Sequence, residues 1–176
     1  MRTTQRGFTM TELVVVVSIV GILLAVGAPS YRYVTTANRI SAEVNGLLGD
    51  MQFARAEAIK EGQTVTVCAS ADGAACAAGA TDWKIGWIVF QDAAPIGTVE
   101  GTDLVLHVQK GFTGTDTFGS TIGAVTFNRE GFAEGLGGPA TLTVHNDTAA
   151  QGYTRCLQIT IVGSLTTQMY DGTACQ

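Results

Sequence analysis

The sequence has 176 residues and a formal net charge of −5 at pH 7, with 46% hydrophobic and 14% charged residues. This length suffices for one modest domain plus an anchoring segment. The acidic balance argues against nucleic-acid binding as the main role, because neutralising phosphates is the main source of non-specific affinity for nucleic acids.

The N-terminal thirty residues contain an apolar run long enough to cross a bilayer. Between Phe8 and Ser30 the only charged side chain is Glu12, and a hydrocarbon core of ~30 Å requires ~20 apolar residues in a helix. A carboxylate left unpaired in lipid costs roughly 2.5 kcal/mol or more, so an acid at this depth is a candidate functional residue. A basic leader ending in Gly7 precedes Phe8. If the chain is cut after Gly7, the new amino group of Phe8 lies about one helical turn from Glu12.

The segment Arg6–Leu13 (RGFTMTEL) resembles the class III signal of type IV pilins and type II secretion pseudopilins. In that family a separate prepilin peptidase cuts after the glycine and methylates the new N-terminus, which implies cleavage between Gly7 and Phe8 and an N-methylated Phe8. The resemblance also implies that Glu12 attracts the Phe8 amine of a neighbouring subunit and so sets the register of assembly. The apolar segment would lie in membrane lipid before assembly and in the fibre core afterwards.

Two other interpretations of the N-terminus remain open, an ordinary secretory signal cleaved near Ala25–Gly27 and a plain single-pass anchor. Glu12 interrupts the start of the apolar region, and an amphipathic helix continues past the supposed cleavage site. Both features favour the prepilin interpretation.

One long helix is predicted from Phe8 to about Glu61, and its first half is apolar on all sides, as in a lipid-embedded helix. Pro29 lacks a backbone donor and clashes with the preceding turn, so we predict a break of the helix near residues 21–30, either a kink or local melting. The resemblance implies the same, since this stretch loosens inside the fibres of the family.

The helix becomes amphipathic after Pro29. Apolar residues recur at three- and four-residue steps from Val34 to Ile59, which predicts a face buried under a sheet. Gly62 is predicted to end the helix as a C-terminal glycine cap.

Short runs with high β-propensity follow Gly62. Loops are predicted at Ala71–Ala80 and Gly131–Pro139, and the predicted strands are Thr64–Cys68, Gly86–Phe90, Leu104–Val108, Ala124–Phe127, Thr141–His145 and Leu157–Val162. Residues 63–176 hold four basic and ten acidic residues and are rich in Gly, Thr and Val. The fold class predicted is α+β, with the C-terminal half of the helix packed on antiparallel strands.

The resemblance extends through this second part. Phe53–Ile59, Thr64–Cys68, Trp83–Asp92 and Val125–Gly131 are similar to the GspH/FimT branch of minor pilins and pseudopilins. The implied organisation is a leader at 1–7, a transmembrane and fibre-core helix at 8–29, an amphipathic helix at 30–62 and a periplasmic β-rich pilin domain at 63–176.

The chain contains Cys68, Cys76, Cys156 and Cys175. Four cysteines allow three pairings, and sequence alone does not choose among them. Export makes disulfides the default. Proximity along the chain, together with similarity to minor pilins that carry a C-terminal loop bridge, favours Cys68–Cys76 and Cys156–Cys175. The spacing does not suit zinc, and we expect no metal and no cofactor.

No pattern of catalytic residues is present in the sequence. His107 and His145 each lie in a β-like run without a recognisable nucleophile, and we expect both to be ordinary strand side chains. Asp82, Asp92, Asp103 and Asp171 do not have EF-hand spacing, and we expect them to lie in solvated loops. We therefore expect a protein that is not an enzyme.

Some FimT-like minor pilins bind DNA through a basic C-terminal G-R-x-R element. The corresponding stretch here is Gly163–Thr166, in which Ser164 and Thr166 replace both arginines. Without these cations, little counterion release is left to drive binding, so nucleic acid is not an expected partner.

The resemblance as a whole implies a minor pilin of a type IV pilus, which joins a tip or priming complex and promotes pilus assembly. Its partners would be the major pilin, other minor pilins, the prepilin peptidase and the inner-membrane assembly platform. It would cross the bacterial inner membrane once, with a cytoplasmic leader and a periplasmic domain, and later enter the cell-surface pilus. The alternatives are a GspH-like type II secretion pseudopilin, a DNA- or surface-binding tip subunit and, from a further class, a tethered enzyme.

Overall fold

A computed structural model of the chain describes residues 7–93, 96–147, 151–173 and 175. The predicted leader lies outside these described residues, except for Gly7. The chain divides into two compact units, Met1–Ala37 and Asn38–Gln176.

One helix of 52 residues, α1 (Met10–Glu61), contains all the predicted helical residues except the first two. It continues through Pro29 without interruption, so the local melting predicted near residues 21–30 is absent from this single subunit, while the predicted kink stays a prediction. Loosening of that stretch in an assembled fibre stays a prediction. The helix ends as predicted at Gly62, which adopts a φ of 67° and donates its N–H to the Ala58 carbonyl at 3.0 Å. This left-handed conformation is one that glycine adopts without steric cost.

The second half of α1 buries one face against the β-domain. The stripe predicted from Val34 is buried only from Ile40 onwards, since Val34 is 49% exposed. Buried positions recur at three- and four-residue steps, as one helix face requires. They are Ile40, Glu43, Val44, Leu47, Met51, Ala54 and Ala58.

Among the described residues the strands form two antiparallel sheets. The first has the order β3-β2-β1-β5-β6 and the second the order β4-β7-β8-β9. The strands are β1 (Val65–Ala69), β2 (Gly86–Gln91), β3 (Val105–Lys110), β4 (Thr117–Ser120), β5 (Ala124–Phe127), β6 (Ala133–Glu134), β7 (Ala140–His145), β8 (Thr154–Ile159) and β9 (Leu165–Met169). One-turn 3-10 helices precede β2 and β8, at Trp83–Ile85 and Gln151–Tyr153.

The buried face of α1 and both sheets share one hydrophobic core. Leu47 and Met51 from the helix, Val67 and Trp87 from the first sheet and Leu157 from the second belong to the same buried cluster. The predicted α+β fold, a long helix packed on antiparallel strands, is therefore confirmed.

Five of the six predicted strands lie within two residues of their predicted ends. The exception is β8, which begins at Thr154 instead of Leu157. Ile161 and Val162, which suggested a longer strand, lie about half exposed in the turn after β8. Gly131–Pro139, predicted as a loop, contains the two-residue strand β6, and β4 and β9 were not predicted.

The central strand β2 is buried on both faces. Trp87 and Val89 point into the main core, while Ile88 and Phe90 are equally buried in a second cluster with Cys68. Partly buried Cys76 and Val99, from the loops after β1 and β2, pack against this second cluster.

Both predicted disulfides, Cys68–Cys76 and Cys156–Cys175, are present. The first ties the end of β1 to the following loop, and the second ties β8 to the C-terminal residues. All four cysteines are used in this way.

Replacing Cys156 and Cys175 together by alanine is expected to cost more stability than the same replacement of Cys68 and Cys76. The sequence separations are 19 and 8 residues, and closing the longer loop removes more entropy from the unfolded chain, by about 0.7 kcal/mol on the chain-entropy relation. Each double variant should lose about 2–4 kcal/mol in urea unfolding of the full-length chain in detergent. A larger loss from the Cys68–Cys76 pair would contradict this ranking.

Candidate functional site

The N-terminal candidate residues lie at the start of α1. Gly7, Phe8 and Thr9 are not helical, and Phe8 is 78% exposed. The helix begins at Met10, so Thr9 occupies the N-cap position and Glu12 the third helical position. This places Glu12 among the backbone N–H groups that a helix start leaves without intrahelical partners.

Thr9 and Glu12 form a reciprocal capping box. The Thr9 N–H and hydroxyl donate to Glu12 Oε2 at 3.1 and 2.9 Å, and the Glu12 N–H lies 3.3 Å from Thr9 Oγ1. The pattern Thr-x-x-Glu is the sequence signature of such a box. This role of Glu12 was missed from the sequence, although the signal was present there.

The capping box gives Glu12 a local partner in the uncut chain. The nitrogen of Phe8 is here a peptide nitrogen, so a charged amine becomes available to Glu12 only after cleavage. The donors of Thr9 are uncharged, whereas a free amine would add direct attraction between opposite charges, which is strong where water is excluded. A free amine could therefore displace the weaker donors of Thr9.

The apolar half of α1 exposes its side chains all round. The Leu, Val and Ile residues from Leu13 to Val26 are between 46% and 69% exposed. By length and composition this helix could cross a membrane, with a mean hydropathy of 2.5 over its most apolar 18-residue window, none of which is buried. The Ser18 hydroxyl donates to the Val14 carbonyl at 2.7 Å, which satisfies it where lipid offers no water.

The Gly163–Thr166 stretch begins in the tight turn after β8, next to α1, and ends in the first two residues of β9. The Arg55 Nε donates to the Gly131 carbonyl at 2.9 Å, and its Nη2 lies 3.4 Å from the Val162 carbonyl. Arg55, Gly163 and Ser164 line the same surface groove. The arginine at this turn is therefore engaged with backbone carbonyls of the domain itself.

The two histidines have different surroundings. His107 Nε2 lies 3.6 Å from Asp50 Oδ1, and Asp50 Oδ2 accepts the Trp87 Nε1–H at 2.7 Å. This contact joins β3 and β2 to α1. His145 Nδ1 lies 2.6 Å from the Asn146 carbonyl. Among the described residues, no group of three or more His, Cys, Asp or Glu is placed to hold a metal ion.

A buried acid on α1 was not singled out from the sequence. Glu43 is 8% exposed. Its neighbour Arg39 forms a bidentate salt bridge with buried Asp116, in which Nε donates to Oδ2 at 2.6 Å and Nη2 donates to Oδ1 at 2.8 Å. Burial raises the pKa of the Glu43 carboxyl above its ordinary value, and the charge of Asp116 adds to that rise, while Arg39 and Lys84 oppose it.

Replacing Glu43 with glutamine is expected to stabilise the chain progressively as the pH rises. Because the pKa of Glu43 is raised in the folded state, the native protein holds this proton more tightly, and stability falls above the ordinary glutamate pKa of about 4.3 until the raised pKa is passed. Glutamine removes this loss. The difference in thermal midpoint between variant and wild type, measured in detergent from pH 4 to 7, should grow with pH; a constant difference would contradict the expectation.

Two sequence-family models match the chain. One, described as "Type II transport protein GspH", matches residues 43–164, and the other, described as "Prokaryotic N-terminal methylation motif", matches residues 2–28. The first covers α1 from the buried face onwards together with most of the β-domain. The second covers Gly7, Phe8 and Glu12.

Curated relatives match over shorter stretches. The type IV major pilin protein PilE1 of Neisseria gonorrhoeae is 46% identical over 44 residues, which is 25% of this chain and 27% of that protein. A fimbrial protein of Pseudomonas aeruginosa is 35% identical over 66 residues, 38% of this chain and 42% of that protein. The matches thus span about a quarter to two fifths of these relatives.

A solved structure shares the fold. The crystal structure of the type IV minor pilin FimU of Pseudomonas aeruginosa superposes with a TM-score of 0.58 at 18% identity, covering 79% of this chain and 93% of that one. A second crystal form of the same protein gives a TM-score of 0.51.

Proposed function

This chain belongs to the family of type IV minor pilins and type II secretion pseudopilins that the GspH model describes, and we propose that it is a minor pilin of a type IV pilus. It acts as a structural subunit and not as an enzyme. It joins other minor pilins in a tip or priming complex on which the major pilin polymerises.

The observation that carries this proposal is the exposed apolar helix surface that follows Glu12. Eleven Leu, Val and Ile residues between Leu13 and Val26 are each about half exposed or more. A surface of this kind needs either lipid or other apolar helices around it. Assembly supplies both in turn, since the subunit waits in the inner membrane with a periplasmic domain and then enters the fibre at the cell surface.

Processing is the first step of the proposed mechanism. The prepilin peptidase cuts between Gly7 and Phe8, which lie exposed before the first turn of α1, and methylates the new N-terminus. The Phe8 amine then pairs with Glu12 of a neighbouring subunit as the inner-membrane assembly platform inserts the chain. The intact mass of protein from the native membrane should correspond to a chain that begins at N-methylated Phe8. A mass that corresponds to the uncut chain from Met1, or to a chain cut after residue 25, would refute this step.

The second candidate is a pseudopilin of a type II secretion system. The description of the matching family model favours it, and the N-terminal signal and the fold are common to both machines. Two disulfides and the long β-domain favour the pilus. DNA or surface binding at a pilus tip has less support, because Ser164 and Thr166 are uncharged and Arg55 is engaged with carbonyls.

Deletion in the native host distinguishes the two machines. Surface pili per cell should fall at least tenfold after deletion of this chain and return with wild-type protein supplied in trans, while secretion of type II substrates stays unchanged. Normal pili together with lost secretion would assign the chain to the secretion system. Unchanged pili and unchanged secretion would refute a role in assembling either machine.

A further inference from the structure

A surface pocket of about 380 Å³ lies between the second half of α1 and the segment that follows β3. One wall is formed by α1 and the other by β2, the end of β3 and the next few residues. The residues that line it are Arg39, Ala42, Glu43, Gly46, Trp87, Gln109, Phe112, Thr113 and Gly114. None of the residues assigned above to processing or to charge pairing belongs to this pocket.

The pocket contains a buried carboxylate with an unused oxygen. Glu43 is 8% exposed, and its Oε2 has no hydrogen-bond partner among the described residues. The nearby cation, Arg39, is occupied on two of its nitrogens by Asp116. Removing a carboxylate from water without a partner is costly, and a cation entering the pocket would relieve that cost.

The rest of the lining suits an organic cation. Phe112, which is only partly buried, gives the pocket aromatic surface. Beneath it lies Trp87, which is 1% exposed and is held in place by the hydrogen bond from its Nε1 to Asp50; the two ring centroids lie 5.7 Å apart. Ammonium and guanidinium groups gain energy from aromatic rings as well as from a carboxylate. The helix wall is open at Gly46, because a Cβ added there would project into free space with no atom within 4 Å.

We propose that this pocket binds the lysine or arginine side chain of a protein partner, with Glu43 as its counter-ion and Phe112 as its aromatic wall, above the buried Trp87. Residues 63–176 carry ten acidic against four basic residues, so a complementary partner surface is basic. In the assembly proposed above, on which this identification of the partner rests, the occupant belongs to a neighbouring subunit. Binding of the cation itself is independent of that assembly.

The test uses n-butylguanidinium as a probe of the arginine side chain and n-butylurea as its neutral isostere. The full-length chain in detergent is titrated with each, and the indole N–H signal of Trp87 is followed by NMR, with Trp83→Phe used for its assignment. The cation should shift the Trp87 signal in a saturable manner, whereas the urea should leave it in place. Equal responses to both probes, or no response to either, would overturn the proposal.

Variants on α1 locate the site. Glu43→Gln keeps the shape of the side chain without its charge and should lower the affinity for the cation by about tenfold or more. Gly46→Leu fills the pocket and should also abolish saturation, whereas Gly49→Leu makes the same change at an exposed position that does not line the pocket and should bind as the wild type does. Unchanged affinity in Glu43→Gln, or equal losses in both leucine variants, would refute the assignment. Failure of the pilus experiment alone would leave this binding result intact and would change only the partner.

Discussion

Replacing Glu12 with glutamine is expected to leave the chain in the membrane and processed, yet to reduce its incorporation into the fibre about a hundredfold. Glutamine keeps an oxygen that can accept the Thr9 N–H at 3.1 Å, so the helix start survives. It removes the negative charge that would pair with the Phe8 amine of the next subunit. Breaking a desolvated ion pair by removing one partner costs about 3–5 kcal/mol, and each 1.4 kcal/mol corresponds to about tenfold in an equilibrium.

The measurement is the ratio of this chain in sheared surface pili to the chain left in the membrane, in a deletion strain that expresses each variant. Glu12→Ala should behave like Glu12→Gln. Thr9→Ala is the matched control, because it removes a hydroxyl of the capping box and keeps the charge, at a cost of about 1 kcal/mol. Equal losses in Thr9→Ala and Glu12→Gln would show that helix capping, and not charge pairing, is what assembly requires.

Gly163→Ala is expected to destabilise the β-domain by roughly 3–5 kcal/mol. Gly163 has a φ of 73°, in the left-handed region, and an added Cβ would collide with the Gly131 carbonyl oxygen and lie 3.0 Å from Arg55 Nε. The Arg55–Gly131 hydrogen bond and the β8–β9 turn would then have to move together. Urea unfolding of the full-length chain in detergent, followed by the fluorescence of buried Trp83 and Trp87, measures the loss.

Gly135→Ala separates the two causes. Gly135 has a φ of 75°, and a Cβ there would meet no atom within 4 Å. Its replacement should therefore cost only the left-handed backbone penalty, about 1–2 kcal/mol. If Gly163→Ala costs no more than Gly135→Ala, the close approach of Arg55, Gly131 and Gly163 does not contribute to the stability of the domain.

Local patterns in the sequence predicted most of the fold. The helical structure of the apolar run after Glu12 and the end of α1 at Gly62 each depend on residues close in the sequence, and both were predicted correctly. Strands β4 and β9 were missed because they are short or polar and owe their structure to pairing with β7 and β8. The local melting predicted near Pro29 does not occur in this single subunit, since a helix that extends far on both sides can tolerate the loss of one hydrogen bond.

The features around the candidate sites divide in the same way. The Thr9–Glu12 capping box spans four residues and was visible in the sequence. The contacts of Arg55 with Gly131 and of Arg39 with Asp116 join residues 76 and 77 positions apart. A periodic pattern within one segment cannot predict contacts between residues so far apart in the sequence, because these contacts depend on how the sheets pack against α1.

The Cys156–Cys175 bridge determines how the domain can respond to mechanical force. Strand β9 is the edge strand of its sheet and lies within the loop that this disulfide closes, whereas β8 is flanked by β7 and β9. A pull on the chain beyond Cys175 would pass through the sulfur atoms directly into β8. Tension at the C-terminus therefore cannot peel β9 from the edge of the sheet and must instead shear an interior strand against both neighbours at once.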